Sequence, residues 1–162
     1  MAVDTKHAND RRPLQLASLA ELRAEIVRLA AAERAGRIRR SGNWTTGQVI
    51  GHLALWMNAI FDGMPGPKPP FFVRLLAPIL VKPMLLKKMP AGVRIPKAKE
   101  GTYGTEDLPI DEAERRMLAA IERLERGTTP ERHPVFGRMS REQWITLHLR
   151  HAELHCSFLH PS

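Results

Sequence analysis

The chain has 162 residues, of which 43% are apolar and 6% aromatic, and its formal net charge is +8 at pH 7. This length and apolar share suffice for one domain whose core is mainly aliphatic. The single cysteine excludes an internal disulfide framework and favours a reducing, cytoplasmic location.

The N-terminal segment is polar and charged, and it predicts a flexible arm over residues 1–13. It has no apolar stretch of the kind that a secretory signal requires. The longest apolar run, residues 75–81, is too short to span a bilayer. Residues 14–162 are therefore expected to form a single domain.

The first two predicted helices are amphipathic. Residues 15–35 carry leucine and isoleucine at spacings of three and four, and this helix is expected to end near Gly36. The second helix begins with a capping box, in which Thr45 and Gln48 satisfy each other's backbone amides. Its apolar face includes Trp56, and Gly63 ends it.

Two further helices are predicted in the C-terminal part of the chain. Acidic residues from Asp111 suit the positive end of a helix that closes at Gly127. A second capping box, Ser140 with Gln143, begins a helix that is expected to continue to Pro161. No stretch predicts a strand, and four helices with one apolar face each favour an all-α four-helix bundle.

Residues 65–105 form an unusual insertion between helices two and three. They contain eight of the 13 prolines, and eight basic residues against Glu100 alone, a net charge of +7. Because interior prolines break helices, we expect two short helices, at 70–80 and 82–88, followed by an irregular crossover. The apolar clusters at 71–73 and 75–77 are expected to dock on the bundle.

Three histidines lie close together on the last predicted helix. At 100° per residue, His148, His151 and His155 fall within an arc about 60° wide, and Trp144 shares that face. His151 and His155 are four residues apart, so both rings can reach one metal ion. A pair at this spacing is also common among hydrogen-bonded surface or boundary histidines.

His52 is the best candidate for a third ligand, because it lies near the apolar face of helix two. Three histidine ligands leave a position open for water or substrate, which is typical of catalytic zinc sites. His148 is expected to line the site and to orient a ligand. His133, in the loop before the last helix, is a further candidate for lining the site, as are Trp144 and Trp56. Cys156 is expected to be a packed core residue.

Two motifs resemble the DinB/YfiT-like superfamily. The segment 44–53, which ends in His52-Leu53, is similar to its helix-two motif, and the His151/His155 pair matches its last-helix ligands. Residues 133–144 are similar to one uncharacterised bacterial branch, which has a basic, proline-rich insertion after helix two. Leu154 stands where many members of that branch have another histidine.

This resemblance covers residues from about 15 to 160. It implies an up-down-down-up bundle, a divalent metal such as zinc or nickel held by His52, His151 and His155, and a homodimer. Some superfamily members are metal-dependent hydrolases or thiol transferases, but the branch implies no particular reaction.

Three functional hypotheses follow. The first is a metal-dependent hydrolase or thiol S-transferase that acts on an unidentified small molecule. The second is an interaction protein that works through the basic insertion, either with a partner or with an anionic membrane surface. No aromatics alternate with its lysines, so no specific nucleic acid is predicted. The third is a bundle that has lost its metal.

Overall fold

The computed structural model describes residues 4–67, 70–95, 98 and 100–162, and over these residues the chain is mainly helical with a few short strands. Residues 1–3 of the predicted arm lie outside the described part, as do Lys68, Lys97 and Lys99 of the insertion. The helices are α1 (Leu19–Arg34), α2 (Thr46–Asp62), α3 (Phe71–Lys87), α4 (Ile110–Arg126) and α5 (Arg141–Cys156).

Helices α1, α2, α4 and α5 share one hydrophobic core, which is almost entirely aliphatic apart from Trp144. The four helices correspond to the four that the periodicity predicts. Both capping boxes are confirmed: Thr45 with Gln48 begins α2, and Ser140 with Gln143 begins α5. These caps set where each helix starts.

Four short strands form two antiparallel pairs, although the sequence predicts none. β1 (Ile38–Arg40) pairs with β4 (Leu159–Pro161), and β2 (Arg132–His133) pairs with β3 (Gly137–Arg138). The expectation that the last helix continues to Pro161 is therefore wrong. The chain leaves the helix after Cys156 because its last residues pair with the segment that follows α1.

The prediction of two short helices in the insertion is also wrong. Residues 71–87 form one helix, α3, with Pro78 and Pro83 inside it. Each proline removes its own N–H from the helical ladder, but the remaining hydrogen bonds and contacts with the rest of the protein maintain the helix. Ala77 is buried, and Lys82 Nζ donates to the carbonyl of Arg138 at 2.5 Å.

The apolar clusters of the insertion do not dock as expected. Their largest side chains are exposed, namely Phe71, Phe72, Leu75 and Leu76. Ala77, on the opposite side of α3, is buried against the rest of the protein. The reason is geometric: a single helix divides these residues between two faces, and only one face can pack on the core.

The end of the predicted arm is anchored rather than loose. Residues 8–17 form no helix or strand, but the Arg12 backbone N–H donates to Ser157 O at 2.8 Å. The Arg12 guanidinium also donates to Glu25, a buried carboxylate of α1. Among the described residues no helix is long and apolar enough to cross a membrane.

Candidate metal centre

One face of α2 holds the loop that precedes α4. Thr45 Oγ1 donates to Asp107 Oδ1 at 2.5 Å, and Gln48 Nε2 donates to the carbonyl of Thr105 at 2.9 Å. Gly47 lets the loop approach closely, since a Cβ there would lie 2.0 Å from the carbonyl oxygen of Leu108. The side chains and the glycine of the α2 motif thus fix the path of this loop.

The same loop orients His52 one turn further along α2. His52 Nδ1 donates to the carbonyl of Tyr103 at 2.8 Å. A hydrogen bond of this kind leaves Nε2 unprotonated and turns it away from the loop, as in many metal-binding histidines. His52 is 2% exposed, so its ring has little freedom to reorient.

The unprotonated nitrogen of His52 faces the histidines of α5. His52 Nε2 and His151 Nε2 are 3.1 Å apart, and the ring centroid of His155 is 4.6 Å from that of His52. One nitrogen from each of the three rings can be chosen so that all lie within 4.8 Å of one another. The expected approach of His52 to His151 and His155 is therefore confirmed.

The distance between the Nε2 atoms of His52 and His151 suits two ligands of a single ion. Two nitrogens that each lie about 2.0–2.1 Å from zinc, at angles between 90° and 109°, are roughly 2.9–3.4 Å apart. The 3.1 Å separation of the two Nε2 atoms falls within this range. The three side chains are close enough to hold a metal ion, and neutral imidazole suits zinc, nickel and copper.

Two tryptophans form walls of the histidine cluster. The Trp44 ring stacks on His155, with centroids 5.1 Å apart and planes 4° from parallel. The Trp56 ring is 6.1 Å from that of His52 and 6.4 Å from that of His151. Trp56 Nε1 is buried and has no hydrogen-bond partner among the described residues. A buried donor without a partner is costly, so this N–H is suited to a ligand.

Burial keeps the three rings neutral. Desolvation lowers the pKa of His52 to about 4, although hydrogen bonds to the backbone of the loop oppose this shift. Desolvation, followed by the repulsion between neighbouring histidines, lowers the pKa values of His151 and His155 well below 6.5. Neutral imidazole is the form that binds metal, so protons compete weakly for these nitrogens at pH 7.

His148, His133 and Trp144 form a second cluster that continues along α5. The centroid of the Trp144 ring is 5.0 Å from that of His133 and 6.4 Å from that of His148. His133 Nδ1 accepts the backbone N–H groups of Val135 and Phe136, which shapes the turn between β2 and β3. His133 therefore has a structural role in this turn, and its ring contacts are with Phe136 and Trp144.

His148 is buried, and burial lowers its pKa to about 3, with a smaller contribution from His133. Its Nε2 has no hydrogen-bond partner in the described part of the chain. No hydrogen bond between His148 and His52, His151 or His155 is observed, so the role of orienting a ligand stays a prediction.

Cys156 is fully buried, as expected for a core residue, and burial raises its pKa to about 12. A thiol held neutral in this way is a poor metal ligand and a poor nucleophile.

An open groove of about 440 Å³ lies beside α2 and α4, with Leu55, Asn58 and Arg116 in its walls. None of the three histidines lines that groove.

Sequence reasoning missed Trp44 and the carbonyl of Tyr103 as parts of the site. Trp44 directly precedes the capping box of α2, and this position could have indicated that its ring lies near the start of the helix that carries His52. The carbonyl of Tyr103 gave no signal, since any residue offers the same acceptor and the partner is 51 positions away.

A family model described as "Protein of unknown function (DUF1569)" matches residues 8–162 of the chain. No curated protein and no solved structure matches the chain. The match covers α1 to α5 and all three histidines of the cluster.

Proposed function

Because the chain belongs to this family of unknown function, we propose from its geometry that it binds one divalent metal ion through His52, His151 and His155. The observation that carries the proposal is the convergence of the three rings, with two Nε2 atoms 3.1 Å apart. Zinc or nickel is the proposed ion, because both accept neutral nitrogen ligands.

We also propose that α1, α2, α4 and α5 form a four-helix bundle of the DinB type, with up-down-down-up connectivity. The common core of these helices supports this proposal. So does the order of the ligands, one on the second bundle helix and two on the last. The expected homodimer and the cytoplasmic location stay predictions, and light scattering coupled to gel filtration would measure the first.

The proposed activity is metal-dependent hydrolysis or thiol transfer. Three protein ligands leave at least one position open in a tetrahedral site. An ion held there supplies Lewis-acid chemistry, which makes water or a thiol a nucleophile near neutral pH. The protein's own contribution is to hold the three nitrogens, to restrict solvent with Trp44 and Trp56, and to offer the Trp56 N–H to a bound group.

Metal analysis of the purified protein tests the binding proposal. The parent should retain close to one zinc or nickel ion per chain after dialysis, and His151→Ala should lose it. His7→Ala is the matched control, since His7 is an exposed histidine that pairs with Asp4. Equal metal content in the parent and His151→Ala would refute the proposal, and absence of metal from both proteins would favour a bundle that has lost its metal.

Two assays separate the proposed reactions. A chromogenic ester reports hydrolysis, and a thiol with an aromatic electrophile reports transfer. Either activity should disappear on chelation and return with the metal. Metal binding without activity in either assay would retain the metal site and leave the protein as a non-catalytic binding protein.

A further inference from the structure

Helix α3 carries an exposed apolar face. Phe71 is 80% exposed, Leu75 67% and Ile79 70%. At 100° per residue these three side chains, together with Phe72 and Leu76, lie within an arc about 140° wide. Soluble monomers rarely expose a continuous apolar patch of this kind, and such patches mark sites of interaction.

Exposed basic residues lie on α3 and in the segment that follows it. Arg74 is exposed on the same helix, and Lys87 and Lys88 are exposed at its C-terminal end. Arg94 is exposed a few residues further on, beside the apolar Val93, which is 68% exposed. The only acidic residue between positions 65 and 105 is Glu100. An occupant of this surface must therefore accept apolar side chains and cations together.

We propose that the exposed face of α3 docks on the surface of an anionic phospholipid membrane. Helices with an apolar face and basic flanks lie in the interface plane, with the apolar side chains among the acyl chains and the cations at the phosphates. A second copy of the chain fits less well, because pairing two α3 faces would bring their basic residues together. The inference does not depend on the metal site.

Contacts with the rest of the protein hold α3 in a fixed position. Ala77 is buried, and a Cβ at Gly137 would be 3.4 Å from the ring of Pro78. Lys82 Nζ is bonded to the carbonyl of Arg138, so this lysine is engaged with the protein rather than with lipid. The apolar face is thus presented outward by a helix that is already formed, which removes the cost of ordering it on binding.

Vesicle flotation of the full chain tests the apolar part of the surface. Binding should occur to vesicles of phosphatidylcholine mixed with phosphatidylglycerol and should be weak to phosphatidylcholine alone. Leu75→Gln with Ile79→Gln should lower the partition coefficient by about tenfold or more. Val27→Gln is the matched control, because Val27 is an apolar residue of α1 that is 44% exposed. This substitution should leave the partition coefficient unchanged.

Charge reversal tests the basic part. Lys87→Glu with Lys88→Glu should lower binding to the mixed vesicles by about 25-fold or more, and added salt should weaken binding of the parent. Arg37→Glu with Arg126→Glu changes the net charge equally at exposed positions outside α3 and should have a much smaller effect. Circular dichroism checks that every variant is folded.

Absence of binding to the mixed vesicles would overturn the proposal. So would binding that is insensitive to the changes at Leu75 and Ile79. If the parent does not bind vesicles and is a dimer that these two changes dissociate, a second copy covers α3 and the membrane proposal is wrong.

Discussion

Removal of His151 should eliminate most of the stabilisation of the protein by zinc. A ligand that binds only the native state stabilises it by about 2.7 kcal/mol at a concentration of 100 times Kd. For a chain of 162 residues this corresponds to a rise in Tm of about 5 to 11 °C. The parent should show a rise of this size when zinc is added to the metal-free protein.

The expected loss follows from the number of ligands. Four-ligand zinc sites bind with about 10–16 kcal/mol, or roughly 2.5–4 kcal/mol per ligand, so loss of one ligand lowers the affinity about 70-fold or more. At the same zinc concentration zinc should then stabilise His151→Ala by about 0.5 kcal/mol or less, a rise in Tm of about 1–2 °C.

Differential scanning fluorimetry with and without zinc measures this difference. Each variant is compared with its own metal-free Tm, so that a change in the stability of the fold does not enter the comparison. His7→Ala should behave as the parent, because His7 is exposed and lies outside the cluster. An equal zinc-dependent rise in the parent and His151→Ala would refute the assignment of His151 as a ligand.

Three further predictions concern residues around the site. Burial lowers the pKa of His133 from 6.5 to about 4. As pH decreases, His133 is therefore protonated at a higher pH in the unfolded chain than in the folded protein, and the stability of the fold decreases between about pH 6.5 and about pH 4. In denaturant titrations, His133→Asn should reduce the loss of stability between pH 7 and pH 4 by about 3 kcal/mol, and an unchanged loss would contradict this. Gly47→Ala should displace the Leu108 carbonyl, and with it the loop that orients His52. Zinc affinity should therefore fall about 10- to 100-fold in competition titrations, and unaltered affinity would refute the role of this loop in orienting His52. Trp56→Phe removes an N–H without a partner in the described part of the chain, so the Tm of the metal-free protein should stay the same or rise, and a fall of several degrees would show that this N–H stabilises the fold.

The helices around the core were largely predictable from the sequence. The capping boxes at Thr45 and Ser140 mark the starts of α2 and α5, because a side chain that satisfies nearby backbone amides is a local signal. The end of α5 was not predictable, since the pairing of β4 with β1 joins segments about 120 residues apart. Helix α3 was mispredicted because Pro78 and Pro83 suggested that the helix breaks. Contacts with the rest of the protein offset the destabilisation by these prolines, and the sequence does not show such contacts.

By itself, the sequence determined that His151 and His155 share one face of a helix, since the helical repeat fixes the positions of residues four apart. It also determined the basic, proline-rich character of the insertion. Only the tertiary structure decided that the Tyr103 carbonyl orients His52, that Trp44 covers His155, and that the apolar face of α3 is exposed. These features depend on how distant segments pack, and the local periodicity of a chain does not specify which of its faces meet.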